Sequence, residues 1–239
     1  MKKLILTGAV LAFTAGVAMA QDVVRMGTEG AYPPYNFVND KGEVDGFERE
    51  LGDKLCAMET LTCTWVKNDW DSIIPNLLSG NYDTIMAGMS ITDERKETID
   101  FTQNYFPPAA SGYAALKADA DLKGIIAAQV GTIQADYVAK SGATLLEFAT
   151  LDDTVAAVKN GEADAVFADK DALTPFVAEG AGLVVAGDEV PLGDGIGIGL
   201  RKSDTALKDK LNAGITKLKE NGELNAMITK WFGAEAKTF

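Results

Sequence analysis

Four arginines serve the whole 239-residue chain, at positions 25, 49, 95 and 201, and the setting of one of them suggests chemistry. An apolar run from Thr84 to Met86 gives way to Ala87 and Gly88, small residues that let backbone approach a ligand. Ser90, a helix-start segment and Arg95 follow at once. A planar guanidinium grips a carboxylate through two parallel hydrogen bonds, which a lysine ammonium does not do, so this stretch has the layout of an anion-binding corner. The alternative is that Asp93, Glu94, Arg95 and Lys96 form a solvated helix face. Two earlier strand ends carry comparable candidates. The loop Gly27-Thr28-Glu29-Gly30-Ala31-Tyr32-Pro33-Pro34-Tyr35-Asn36-Phe37 cannot be helical, and among its aromatics Tyr32 reads as a stacking platform and Phe37 as packing. Trp70 stands at the next strand-to-helix corner. Three successive strand ends thus present Glu29 with Tyr32, then Trp70, then Ser90 with Arg95, and ligands collect at strand ends of open α/β sheets.

The elements that must position these residues repeat as short strand, loop and helix. Val24 and Met26 alternate with polar neighbours as in a strand, and Phe47, Leu51 and Leu55 predict an amphipathic helix over 46–58. A strand over 64–66 follows, and Asp71 or Ser72 can cap the next helix, with Pro75 in its first turn and Gly80 ending it. Later, Gly131-Thr132 opens a helix whose free N–H groups can hold an anion, and Asp152 or Asp153 can cap a helix stopped at Gly161. The apolar run 163–168 reads as a buried strand ending in Asp169. The glycine-rich stretch 194–199 lacks the pattern of a phosphate or dinucleotide loop. Leu207, Leu211, Ile215 and Leu218 mark one long helix, Gly222 a break, and residues 223–231 a second.

Composition removes several function classes. With no histidine in the chain, Ser-His-Asp and Cys-His catalytic sites and histidine-bearing metal sites are excluded. Lys2 and Lys3 precede an apolar run over 4–17 and the small residues Ala18-Met19-Ala20, which is the pattern of an export signal over 1–20 cleaved after Ala20. Losing it lowers the basic residues from 22 to 20 against 35 acidic ones, so the net charge moves from −13 to −15. Phosphate binding needs clustered positive charge, so nucleic acid is not an expected partner. No later run reaches the roughly 18 consecutive apolar residues of a membrane span. Cys56 and Cys63, an even count at short spacing in an exported chain, read as one disulfide, the alternative being a free buried pair.

Taken together, these stretches resemble the extracytoplasmic solute-binding proteins of polar amino acid ABC transporters, close in pattern to the lysine/arginine/ornithine-, histidine-, opine- and glutamine-binding members. The matching segments are 27–37, 46–51, 69–77, 89–95, 100–105, 130–137, 163–169, 193–202 and 231–233, spread over nearly all of the chain beyond the export signal. The resemblance implies an α/β, two-lobed periplasmic-binding-protein-like fold of type II, with a ligand cleft at a hinge. Lobe one would comprise 21–106 and 198–239 and lobe two 111–187, with crossovers at 107–110 and 188–197. It also implies a periplasmic monomer that hands an amino acid to a membrane permease, without a cofactor, a metal or a catalytic residue.

The resemblance assigns roles in the site. Arg95 would pair with the ligand carboxylate, helped by backbone N–H groups near Ser90 and Thr132, and Asp169 from the second lobe would pair with the ammonium. The Ser90 hydroxyl and the Gly88 carbonyl would be further acceptors, with Tyr32 and Trp70 flanking the side chain. Glu29 stands where basic-amino-acid binders carry an acid, which implies a cationic ligand such as arginine, lysine, ornithine, histidine or an opine; its alternative is a solvated loop acid. Ala87-Gly88 looks more like the glutamine type, so glutamine or another polar amino acid is the competing ligand. Exported dehydratases on the same fold are the competing class.

Overall fold

The protein is described by a computed structural model over residues 23–239. The expected export signal lies outside the described residues. In chain order the elements are β1 (Val23–Thr28), β2 (Ala31–Tyr32), β3 (Asn36–Val38), β4 (Val44–Asp45), α1 (Phe47–Met58), β5 (Thr62–Lys67), α2 (Ile73–Leu78), β6 (Thr84–Ile85), α3 (Asp93–Thr98), β7 (Asp100–Phe106) and β8 (Ala110–Ala115). There follow β9 (Ile125–Gln129), α4 (Ile133–Ser141), β10 (Thr144–Phe148), α5 (Leu151–Lys159), β11 (Ala165–Asp169), α6 (Lys170–Val177), β12 (Val184–Pro191), β13 (Ile196–Leu200), α7 (Thr205–Glu220) and α8 (Glu223–Phe232).

Two five-stranded sheets organise the molecule, one ordered β5-β1-β6-β13-β7 and the other β10-β9-β11-β8-β12. In the first, β1 runs parallel to β5 and β6 while β13 is antiparallel to β6 and β7. The second repeats the plan: β9 is parallel to β10 and β11, and β8 is antiparallel to β11 and β12. Each sheet with its helices is one lobe of a two-lobed α/β fold. The chain passes between them through 107–109 and returns through 192–195. The returning segment packs on the outgoing one so closely that a Cβ at Gly195 (φ +93°) would lie 2.6 Å from the Phe106 carbonyl oxygen, which leaves room only for glycine.

Apolar spacing accounts for the packing. Phe47, Leu51 and Leu55 bury one stripe of α1, and Leu211, Ile215 and Leu218 bury one stripe of α7, so both C-terminal helices return to the first lobe. Cys56 and Cys63 form a disulfide between α1 and β5, with Cα atoms 6.2 Å apart. Two helix starts differ from expectation. Residues Trp70–Ser72 form a 3-10 turn before α2, and Ser72 takes the N-cap position as expected but makes no side-chain capping bond, its hydroxyl donating instead to the Asp69 carbonyl at 3.2 Å. At α5 the cap is Thr150, whose hydroxyl oxygen accepts from the Asp153 N–H at 3.1 Å, leaving Asp152 and Asp153 in the first turn, where their charges suit the helix dipole.

An aromatic knot joins the first helix, the last helix and the first crossover. Phe47 is wholly buried and meets Phe106 edge-on at 5.9 Å and Phe232 at 5.4 Å. Truncating a buried phenylalanine costs about 3–5 kcal/mol. Phe47→Ala is therefore expected to lower the melting temperature by roughly 6–20 °C for a chain of this size, as measured by differential scanning calorimetry.

Candidate functional site

The carboxyl ends of the parallel strands of both sheets face one another, and the loops leaving them line a single cleft. From the first lobe come Glu29 and Tyr32 after β1, Trp70 after β5, and Ala87, Gly88, Ser90 and Arg95 after β6. From the second come Gln129, Thr132, Ile133 and Gln134 around the end of β9 and the start of α4, and Asp169 at the end of β11. All eight residues singled out from sequence, Glu29, Tyr32, Trp70, Gly88, Ser90, Arg95, Thr132 and Asp169, thus meet at one cleft.

Arg95 does not lie on a solvated face. Asp93, Glu94 and Lys96 are exposed, but the Arg95 side chain folds back over the cleft. Thr92 caps α3 by accepting from the Arg95 N–H at 3.1 Å, which fixes the first turn. The guanidinium then donates to the Ser90 carbonyl at 2.9 Å and, across the cleft, to the Gly131 carbonyl at 3.2 Å, and it lies over the Trp70 ring at 5.3 Å. Burial pulls its pKa below the ordinary value while Asp169, Asp136 and Glu94 pull it back. A guanidinium remains protonated under such opposing influences.

Asp169 faces it from the second lobe. Its carboxylate accepts from the Tyr32 hydroxyl at 2.7 Å and from the Gln134 amide at 2.9 Å, and Gln134 also donates to the Ser111 hydroxyl at 3.0 Å. Burial raises the Asp169 pKa to about 6, Asp171 adding to the rise and the Tyr32 hydroxyl, Arg95 and Gln134 opposing it. Tyr32 is both a polar contact and a wall, stacked on Tyr35 with ring centroids 5.7 Å apart.

Glu29 is not a solvated loop acid. It is 3% exposed, and its carboxylate accepts one hydrogen bond, from the Gln129 amide of the second lobe at 2.6 Å. Gln129 donates as well to the Ala149 carbonyl at 2.9 Å, which holds the amide in place. Loss of water pushes the Glu29 pKa up to about 7, against the pull of the Gln129 hydrogen bond, and the charges of Glu48 and Asp69 raise it further. Thr132 is engaged twice, its hydroxyl donating to the Gln129 carbonyl at 2.7 Å and accepting from the Ala135 N–H at 3.1 Å as the cap of α4. What Thr132 brings to the cleft is therefore the N terminus of a nine-residue helix.

Sequence reading missed Gln129 and Gln134, the two amides that hold the carboxylates. A signal for Gln129 was present: it is the one polar residue ending the otherwise apolar strand Ile125-Ile126-Ala127-Ala128, just before a turn glycine. Gln134 has no comparable mark.

A cleft between two α/β lobes that presents one guanidinium and two carboxylates is a site for a small charged solute. Residues 24–234 match the bacterial extracellular solute-binding proteins, family 3, and the chain belongs to that family. It is 33% identical to the arginine-binding periplasmic protein of Mannheimia haemolytica, across 98% of this chain and 100% of that one. A crystal structure of a periplasmic His/Glu/Gln/Arg/opine family-binding protein from Silicibacter pomeroyi in complex with lysine is 70% identical, with a TM-score of 0.89 over 90% of this chain and 100% of that one. A second structure, the ancestral amino acid-binding protein AncCDT-1, a precursor of cyclohexadienyl dehydratase, is 27% identical with a TM-score of 0.80 over 88% and 95% of the two chains. Family membership supports a periplasmic location.

The raised carboxyl pKa values have a consequence for stability. In the unfolded chain Glu29 loses its proton near its ordinary value of about 4.3, whereas in the folded protein it keeps it until about 7. Between these values the folded state binds more protons than the unfolded one. Its contribution is therefore fully present below the lower value and is lost as pH rises through about 7. The isosteric variant Glu29→Gln lacks this loss. The stability advantage of Glu29→Gln over the parent, in the absence of ligand, is expected to grow from pH 4.5 to pH 7.5, as read by urea unfolding at each pH.

Proposed function

We propose that this protein captures a cationic L-amino acid, lysine or arginine, in the periplasm and delivers it to the permease of an ABC transporter. One observation carries the reading: the cavity's charges are the complement of such a ligand. Arg95 offers one positive charge and Glu29 and Asp169 offer two negative ones. Lysine or arginine carries one carboxylate and two cations. A neutral amino acid leaves one buried carboxylate without a partner, which is costly unless that group takes up a proton. The names of the relatives, one arginine-binding and one crystallised with lysine, support the same choice.

In this reading Arg95 takes the ligand carboxylate together with N–H groups near Ser90 and at the start of α4, and Asp169 takes the α-ammonium. The Gly88 N–H is already committed to Glu48 at 2.7 Å, so Gly88 offers its carbonyl, beside the Ser90 hydroxyl. Tyr32 and Trp70 flank the aliphatic stem, and Glu29 receives the distal cation. Because Arg95 and Glu29 belong to one lobe and Asp169 to the other, the bound ligand favours the closed arrangement by its contacts. The chain works as a monomer without a cofactor, both lobes meeting the permease, after cleavage of residues 1–20 behind Ala20. The crossovers at 107–109 and 192–195, within the expected 107–110 and 188–197, serve as the hinge between lobe one and lobe two. Glu29 and Asp169 act as charge partners and not as catalytic acids.

Calorimetric titration of refolded residues 21–239 tests the assignment. Arg95→Ala is expected to weaken lysine binding roughly 30-fold or more, since removing one partner of a buried charge pair costs about 2–5 kcal/mol; unchanged affinity in the variant removes Arg95 from the site. The pH dependence separates the two ligand types. Lysine needs Glu29 ionised, so its affinity falls as pH drops below about 7, whereas glutamine needs Glu29 protonated, so its affinity rises over the same interval. Tight glutamine binding with the second profile and no heat with lysine or arginine assigns the protein to glutamine instead.

A further inference from the structure

Beneath the cavity lies a third buried carboxylate, one that takes no part in the ligand scheme. Glu48, in the first turn of α1, has no exposed surface and three donors directed at it. Its Oε1 accepts from the Gly88 N–H at 2.7 Å and from the Tyr105 hydroxyl, and its Oε2 accepts from the Asn36 amide at 2.7 Å. Asn36, also wholly buried, passes the connection on: its Oδ1 accepts from the Gly30 N–H at 2.7 Å. Gly30 is the residue after Glu29. Both glycines sit in the left-handed region, at φ +72° and +63°, where the backbone is held by its hydrogen bonds and not by a side chain.

We propose that Glu48 is the positioning residue of this site, a buried brace that holds the Glu29 loop and the Gly88 turn against each other and so sets the discrimination between cationic and neutral ligands. The chemistry requires a carboxyl group. It offers an acceptor at both oxygens, and the Gly88 N–H meets one of them and the Asn36 amide the other. A glutamine would turn an NH₂ toward one of them. Flipping Asn36 does not relieve the conflict, because its NH₂ would then face the Gly30 N–H, donor against donor. The brace has two separable arms. The Oε2–Asn36–Gly30 arm ends at Glu29, which meets only the distal end of a ligand. The Oε1 arm ends at Gly88, which meets the part common to all amino acids. The discrimination claim rests on the ligand scheme proposed above, while the existence of the brace does not.

Two variants and two readouts test it. Amide hydrogen exchange followed by NMR on the ligand-free protein reads the arms directly: Asn36→Ala is expected to lose protection at Gly30 and keep it at Gly88, and Glu48→Gln to lose it at both. Calorimetry then gives the ratio of lysine to glutamine affinity, which is expected to fall at least tenfold in Asn36→Ala, with glutamine affinity little changed. A structural role alone would lower the melting temperature and leave that ratio where it was, and that result overturns the proposal. Should Glu48→Gln fail to fold, Asn36→Ala still decides it. Should the parent bind neither lysine nor arginine, the ligand scheme fails and the discrimination claim with it. In that case unchanged protection at Gly30 in Asn36→Ala overturns the brace too.

Discussion

Withdrawing the Glu29 carboxylate from water behind a single amide donor is the unfavourable interaction around which the cleft is built. A buried ion of this kind is tolerated when it is paired, or when it neutralises itself by holding a proton, and a pKa near 7 places Glu29 at the boundary between the two. Asp169 stands in a similar position with better company, two donors in place of one. The two sites share one design: each carboxylate is held by a side chain from the opposite lobe, Gln129 for Glu29 and Tyr32 for Asp169. Amides and hydroxyls orient a charge without cancelling it, so both acids keep their attraction for a cation.

The fold supplies the geometry that makes this arrangement possible. Parallel strands end in loops at a common edge, and placing two such edges face to face brings side chains from positions as far apart as 29 and 129, or 32 and 169, within hydrogen-bond distance. The glycines at these edges matter for space as well as conformation: a Cβ on Gly88 would lie 3.1 Å from the Tyr32 ring. Substitution there would press the aromatic wall into the cavity.

Much of this was legible in the sequence because charged residues at strand ends announce themselves. Asp169 ends an apolar strand as a group that cannot stay in the core, and Arg95 stands in the first turn of the helix that follows the apolar run 84–86. Glu29 was legible as a candidate, but its burial was not, since that depends on Gln129 from another lobe. The amides were hidden for a physical reason. Gln129 and Gln134 carry no charge and fit an ordinary surface, and only the carboxylates opposite them give them a role. Glu48 was concealed differently: an acid in the first turn of a helix has a local explanation in the helix dipole, so nothing in the sequence asks where its oxygens point. Likewise Asp152 and Asp153 looked like caps because aspartate is a good one, yet Thr150 sits at the residue where the chain enters the helix.

The hinge and the binding residues are parts of one hydrogen-bonded backbone and not separate devices. The returning crossover runs directly behind the Ser90 strand end: the Ile91 N–H donates to the Gly195 carbonyl at 2.8 Å, the Asp194 N–H donates to the Ile91 carbonyl at 3.2 Å, and Ser90 pairs with Ile196 as a β-bridge. A Cβ on Gly193 would lie 3.2 Å from that of Ser90 and 3.3 Å from the end of Ile133 in the second lobe. Any rotation of the lobes must therefore bend the chain within a few residues of the groups that hold the ligand. In the proposed ligand scheme such proximity makes charge pairing and closure a single event, because the ligand groups that pair with Glu29 and Asp169 bridge the two lobes.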